Sequence, residues 1–127
     1  MTAGIAEVGT GADVLVCLCA FPDADTAARI AHALVDARVA ACVNLLPGAT
    51  SVYRWEGHVE TATETVALIK TRRDRLDALQ AMIGTLHPYA VPELVATEAV
   101  GGLPAYLHWV AAEACPADAP TAPRAPD

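Results

Sequence analysis

The segment formed by residues 41–60 constrains the fold most, because two turn signals divide it into short runs of strand-forming residues. The Pro-Gly pair at 47–48 is typical of a tight turn, since proline presets φ at one corner and glycine tolerates positive φ at the next. The Glu-Gly pair at 56–57 separates the β-prone run 51–55 from another run that begins at His58. The segment therefore predicts three strands joined by two tight turns.

The other strands follow from apolar runs on either side of this segment. A continuous apolar run over 13–21 predicts a central strand that is covered on both faces. The strand that begins at His58 extends to about Thr71, and residues 93–100 form a last main strand.

Three helices are predicted from apolar residues at helical spacing. The first opens at 22–26, where Asp23 or Asp25 can accept hydrogen bonds from free backbone N–H groups, and it ends near residue 37 or 38. The second runs from residue 74 to about 86. A short third helix runs from Pro104 to about residue 113, since proline suits the first turn of a helix.

The order of these elements is typical of a ferredoxin-like split βαβ domain of the α+β class, with a long protruding β-hairpin and a short C-terminal helix. Both main helices are then expected to cover one face of an antiparallel sheet. We expect residues 1–12 to form a flexible lead-in and residues 13–114 to form one folded domain. Residues 115–127 hold four prolines in thirteen residues and are expected to form a disordered tail.

Composition excludes several classes of function. The chain has 127 residues, which suits one domain, and its net charge of −7 argues against a nucleic-acid partner. No stretch reaches the roughly 18 consecutive apolar residues of a membrane span, and the N-terminus lacks the pattern of a secretory signal, so no membrane partner is expected. The four cysteines do not form a disulfide pattern, and a reduced, cytoplasmic protein is therefore expected.

Thiol and imidazole side chains are the candidates for a metal site. Cys19 ends the first strand and His87 ends the second helix, and connections at the same end of a ferredoxin-like sheet converge. Cys42 and Glu60 are candidate third ligands, which a neighbouring subunit could supply. Soft donors of this kind favour copper over magnesium or calcium. Each residue also has a structural interpretation, the cysteines as small buried side chains, His87 as a helix-stop residue and Glu60 as a solvated or interface charge.

Tyr53 and Trp55 lie on the same face of a strand close to a turn, where a single chain would leave them partly exposed. Amphipathic aromatic side chains in such places often anchor interfaces. A strand over 58–71 would reach about 46 Å at roughly 3.3 Å per residue. Because the radius of gyration of a domain of this size is only about 13 Å, the hairpin is expected to project and to be covered by a neighbouring subunit.

Five short blocks resemble the CutA family of divalent-cation tolerance proteins, in the order and at the spacing of that family. The resemblance extends over about residues 14–110. The blocks are Ala-Cys-Val-Asn-Leu-Leu-Pro-Gly at 41–48, Ser-Val-Tyr-Arg-Trp-Glu-Gly at 51–57, Leu-Ile-Lys-Thr at 68–71, His-Pro-Tyr at 87–89 and Val-Pro-Glu at 91–93.

The resemblance implies a fold similar to that of PII signalling proteins, a homotrimer, and tolerance to divalent metals, with Cu²⁺ or another divalent metal as the bound ion. It also implies ligand roles for three residues in particular. His87 matches the His-Pro-Tyr block, Cys42 matches the first block, and Cys19 aligns with a cysteine of some members. His58 departs from the family, which often has lysine at that position. The resemblance implies no organic cofactor and no catalysed reaction.

Two other functions are compatible with the sequence. The first is a PII-like regulatory trimer that binds a small ligand or a protein partner in clefts between subunits, which fold analogy alone supports. The second is an enzyme with a cysteine nucleophile paired to His87. The enzyme is disfavoured because the cysteines lie in apolar strands without an evident activating neighbour.

Overall fold

The computed structural model describes residues 13–116. In this part of the chain, four strands form one antiparallel sheet, in the order β2-β3-β1-β4, and three helices pack on it. None of the helices within 13–116 combines the length and the apolar character that a membrane crossing requires. The elements in chain order are β1 (Val14–Phe21), α1 (Ala24–Asp36), β2 (Cys42–Trp55), β3 (His58–Arg72), α2 (Leu76–Leu86), β4 (Leu94–Glu98) and α3 (Pro104–Glu113).

This element order and this sheet order are those of a ferredoxin-like domain, which confirms the predicted α+β fold with its long β-hairpin and appended C-terminal helix. The predicted lead-in of residues 1–12 lies outside the described residues. So does the predicted tail, apart from its first two residues at 115–116.

The core lies between the sheet and the helices α1 and α2. Alternate residues of β1 point into it, and they pair with the inward-facing residues of β3, for example Cys17 with Ile69 and Cys19 with Ala67. Helix α1 contributes Ile30 and Leu34 to the same core. The inward-facing residues of β1 are Leu15, Cys17, Cys19 and Phe21, all of them buried.

The start of α1 follows the predicted capping chemistry. Asp23 caps α1, because its carboxylate accepts a hydrogen bond of 2.7 Å from the backbone N–H of Thr26, and this bond lowers the pKa of Asp23. Helix α2 begins later than predicted, since residues 73–75 form a separate turn of 3₁₀ helix before it. The last strand, β4, is shorter than the predicted 93–100.

The predicted tight turn at Pro47-Gly48 is wrong. Strand β2 continues through these two residues, and a β-bulge interrupts its pairing with β3 between Leu46 and Ala49. Leu46 pairs with Val66 and Ala49 pairs with Glu64, so two residues of β2 face a single residue of β3. Gly48 adopts a φ of 79°, which the bulge requires and which glycine tolerates. The residues that indicate a turn therefore serve a bulge.

The prediction that β1 is covered on both faces is also wrong for the single chain. Helix α3 covers the far face only at Val14, where Leu107 and Val110 contact it. Further along, Leu18 is 36% exposed, and its partners across the sheet are Leu68 and Val95. We call this uncovered surface the open face, formed by Val16, Leu18, Leu46, Val66, Leu68 and Val95.

The bulge predicts that adding a side chain at Gly48 lowers the stability of the protein. Neither Gly48 nor Gly101 has any atom within 4 Å of an added Cβ, and of the two only Gly48 has a positive φ. Gly48→Ala is therefore expected to lower the free energy of unfolding by about 1 kcal/mol, because an L-residue is strained there. Gly101→Ala is expected to leave it unchanged or raise it slightly. Denaturant unfolding of both variants at one protein concentration measures the difference, and equal stabilities would contradict the bulge.

Candidate functional site

A pocket of about 610 Å³ opens where the β2–β3 hairpin leaves the sheet. Three parts of the chain line it, namely the end of β1, the hairpin, and the connection between α2 and β4. Tyr53 pairs with Glu60 across the hairpin, and Glu60 lies on the same side of β3 as Glu64, so Tyr53, Trp55 and Glu64 share a face. We call this site the hairpin pocket; its principal lining residues are Ala20, Tyr53, Trp55, Glu64, Tyr89 and Glu93.

Glu64 is the most deeply buried charged residue of the pocket, with 8% of its surface exposed. The hydroxyl of Tyr89 donates a hydrogen bond of 2.7 Å to its Oε2 atom. Burial, together with the neighbouring Glu64 carboxylate, raises the pKa of the Tyr89 phenol, so this hydroxyl stays protonated and acts as the donor. The strand β3 and the connection after α2 are thereby joined at the floor of the pocket.

His87 holds that connection against the end of β1. Its Nε2 atom lies 2.7 Å from the carbonyl oxygen of Ala20, and the backbone N–H of Tyr89 donates to its Nδ1 atom over 3.2 Å. Because a carbonyl oxygen can only accept, Nε2 carries the proton and Nδ1 accepts. The ring also stacks on Phe21, with 4.8 Å between centroids. Both ring nitrogens are thus engaged in the single chain, and neither presents a lone pair to a metal.

The two buried thiols of β1 are poor ligands in this state. Burial raises the pKa of Cys17 to about 11. Burial, reinforced by the carboxylates of Glu93 and Glu64, raises the pKa of Cys19 to about 12. Since the thiolate is the form that binds metals and attacks electrophiles, both side chains are held in their unreactive form at neutral pH.

Cys42 lies near the opposite end of the open face and is partly exposed. Its Sγ atom lies 3.9 Å from Oδ1 of Asn44, and the same oxygen accepts a hydrogen bond from Lys70. Burial raises the pKa of Tyr106, and the adjacent Cys42 contributes to that shift, which places the α3 residue next to the thiol. Of the three predicted cysteine and histidine ligands, Cys42 is therefore the accessible one.

The four predicted metal ligands do not converge within one chain. His87 contacts Ala20, next to Cys19, so these two lie at the same end of β1. Cys19 pairs with Ala67, whereas Glu60 is seven residues further along β3, about 23 Å at roughly 3.3 Å per residue. Within residues 13–116, no three His, Cys, Asp or Glu side chains come close enough to hold a metal ion. A site built from Cys19 and His87 stays a prediction for an assembled protein.

The predicted interface residues Tyr53 and Trp55 each expose 44% of their surface, and both also line the hairpin pocket. Sequence reasoning missed the pairing of Glu64 with Tyr89, which are 25 residues apart. Lys70 lies on the same face of β3 as Glu64, and it donates a hydrogen bond to Asn44 instead. The sequence signal for the pairing with Tyr89 is the position of Glu64 directly before the apolar part of β3, where a buried carboxylate needs a hydrogen-bond partner.

The fold is that of a ferredoxin-like α+β domain, and comparison with known proteins identifies the family. The family model of the CutA1 divalent ion tolerance protein matches residues 15–113. The match spans most of the chain, so the chain belongs to this family, as its sequence blocks predicted.

Individual relatives agree with this assignment. The divalent-cation tolerance protein CutA of Thermus thermophilus is 44% identical over 95 residues, which cover 75% of this chain and 92% of that protein. Protein CutA of the mouse is 44% identical over 89 residues, which cover 70% of this chain but only 50% of the mouse protein. The crystal structure of CutA from Xylella fastidiosa superposes with a TM-score of 0.79 at 43% identity, covering 81% of this chain and 99% of that one.

The raised thiol pKa values predict selective labelling. At pH 8, iodoacetamide is expected to modify Cys17 and Cys19 at least tenfold more slowly in the native protein than in urea, because burial disfavours their thiolates. The partly exposed Cys42 serves as the internal control in the same sample. Mass spectrometry of the digested peptides measures each rate. Labelling of Cys19 at its unfolded rate would show that the end of β1 opens in solution.

Proposed function

We propose that this chain acts as a non-enzymatic, cytoplasmic divalent-cation tolerance protein that works as a homotrimer. Membership of the CutA1 divalent ion tolerance family is the observation that carries the proposal. The thiols support the absence of catalysis, because burial holds Cys17 and Cys19 protonated and His87 is engaged at both nitrogens. Two cysteines buried as thiols in the core also fit a reducing compartment.

The surface of the single chain supports the assembly. The open face presents Leu18, Leu46 and Val95 to solvent, and the hairpin presents Val52 and Val59. An uncovered apolar surface of this kind favours association. The strands at both edges of the sheet, β2 and β4, also carry backbone groups that another copy can pair with.

Light scattering tests the assembly. The protein at micromolar concentration is expected to scatter as three times 13.2 kDa. Trp55→Ala is expected to raise the concentration at which the assembly dissociates at least tenfold, because it removes an exposed ring from the hairpin. The matched control is Val35→Ala, which removes an exposed apolar side chain from α1. A monomer at micromolar concentration would refute the proposed assembly.

The proposed cargo is Cu²⁺ or another divalent metal. Among the predicted ligands, the single chain favours Cys42, since its thiol is partly exposed and lies on the surface that assembly would cover. Thiolate donors select copper and zinc over harder ions. Cys19 and His87 would have to give up their present burial and hydrogen bonds to bind a metal.

A copper titration of the reduced protein, followed by calorimetry, compares the four candidates. Cys42→Ser is expected to lower the affinity at least tenfold, or about 1.4 kcal/mol. Glu60→Gln, Cys19→Ser and His87→Ala are expected to change it by less than threefold if the subunit keeps its present form. A tenfold loss in Cys19→Ser or His87→Ala would show that assembly rearranges the end of β1. Parent-like affinity in all four variants would place any metal role elsewhere in the protein.

A regulatory role is the second candidate function, and the hairpin pocket is the observation that favours it. Its volume of about 610 Å³ lies within the usual range of small-molecule sites. A subunit that binds a small ligand next to an assembly surface can couple ligand binding to association.

A further inference from the structure

We propose that the hairpin pocket binds a small organic cation of the ammonium class, held between the carboxylate of Glu64 and the rings of Tyr53, Trp55 and Tyr89. This inference rests on the second candidate function, ligand binding in the pocket, and is independent of metal tolerance. Four observations carry it: the sign of the lining charge, the state of Glu64, the aromatic rings, and the size of the cavity.

The charged residues that line the pocket are all negative. Glu64 and Glu93 both line the pocket, and none of the lining residues is a lysine, an arginine or a histidine. The same two carboxylates contribute to the raised pKa of the Cys19 thiol below them, as expected from an unfavourable field for a further negative charge. The pocket therefore favours a cation and disfavours phosphate, carboxylate or nucleotide ligands.

Within the single chain, Glu64 lacks a compensating charge. More than nine-tenths of its surface is buried, and its Oε2 atom accepts a hydrogen bond from a neutral hydroxyl. Within residues 13–116, its second oxygen has no hydrogen-bond partner, and none of the ion pairs includes it. A buried carboxylate without a positive partner is costly, and a cationic ligand would remove that cost. The unused oxygen belongs to a residue of the pocket lining.

The aromatic rings decide which kind of cation fits. Three aromatic side chains line the pocket beside the carboxylate, and tryptophan and tyrosine faces attract an organic ammonium group. Within residues 13–116, no three His, Cys, Asp or Glu side chains come together to hold a metal ion, so the pocket lacks the set of protein ligands that a divalent ion would take. The volume of about 610 Å³ also exceeds what a single ion would fill and suits a small molecule.

Ligand-observed NMR on the full-length, assembled protein tests the inference with three probes of nearly equal shape. Tetramethylammonium is the cation, tert-butanol is the neutral comparator and pivalate is the anion, all in a phosphate buffer that is free of organic amines. Saturation-transfer titrations measure each affinity. We expect tetramethylammonium to bind at least tenfold more tightly than either of the other probes.

Two variants and one control locate the binding. Glu64→Gln is expected to weaken tetramethylammonium binding at least tenfold, because the amide keeps an oxygen for Tyr89 but loses the charge. Trp55→Phe is expected to weaken it several-fold, since phenylalanine is the poorer cation partner and still provides an apolar ring for assembly. The control is Asp36→Asn, which makes the same change of net charge at an exposed position at the end of α1. It is expected to bind like the parent.

The other outcomes contradict the inference in distinguishable ways. If tert-butanol binds as tightly as tetramethylammonium, the pocket is a ligand site without charge preference, so the second candidate function survives and the inference does not. If Glu64→Gln and Trp55→Phe both bind like the parent, the cation binds elsewhere and the inference is wrong. If millimolar Mg²⁺ displaces the probe, the carboxylates form a hard-cation site instead. If none of the probes binds, the inference is wrong, whereas the second candidate function would then need a ligand of another class.

Discussion

The antiparallel pairing of β3 is the constraint on which the rest of the structure depends. Strand β3 pairs with all eight residues of β1 on one side and with β2 along nearly its whole length on the other. Its strict alternation fixes the two faces of the sheet, with Thr65, Ala67, Ile69 and Thr71 buried and Val66 and Leu68 on the open face. Strand β3 extends beyond the end of β1 into the hairpin. The pocket forms where the hairpin part of β3 joins the part that pairs with β1.

The sequence predicts most of this fold, because the signals involved are local. Apolar alternation, the Asp23 cap and the proline at the start of α3 each act within a few residues, and each is found where it was expected. Pro47-Gly48 misled the prediction because a positive φ after proline serves a tight turn and a β-bulge equally well. The pairing of both flanking runs with β3 decides between them, and that is a long-range property.

The environments of the predicted metal ligands and of the hairpin pocket were less predictable, because they depend on contacts between residues that are far apart in the chain. Cys19, Cys42, His87 and Glu60 have the side chains of metal ligands, yet their burial and hydrogen bonds depend on contacts far apart in the chain. His87 illustrates this, since its bond to the carbonyl of Ala20 makes it a support for the connection that carries Tyr89. Glu64 was not predicted as a site residue, yet the fold buries its carboxylate and bonds it to the hydroxyl of Tyr89.

Within residues 13–116, the edge strands β2 and β4 each have a neighbour on one side only, and we propose that another copy pairs with β2 in solution. Amide hydrogen exchange on the native protein tests this claim most directly, because alternate amides of an edge strand point away from its only neighbour, β3. If another copy pairs with β2, these outward amides will exchange at least about a hundredfold more slowly than in an unstructured peptide. Exchange of the outward amides at the unprotected rate, beside slow exchange of the amides bonded to β3, would contradict the claim.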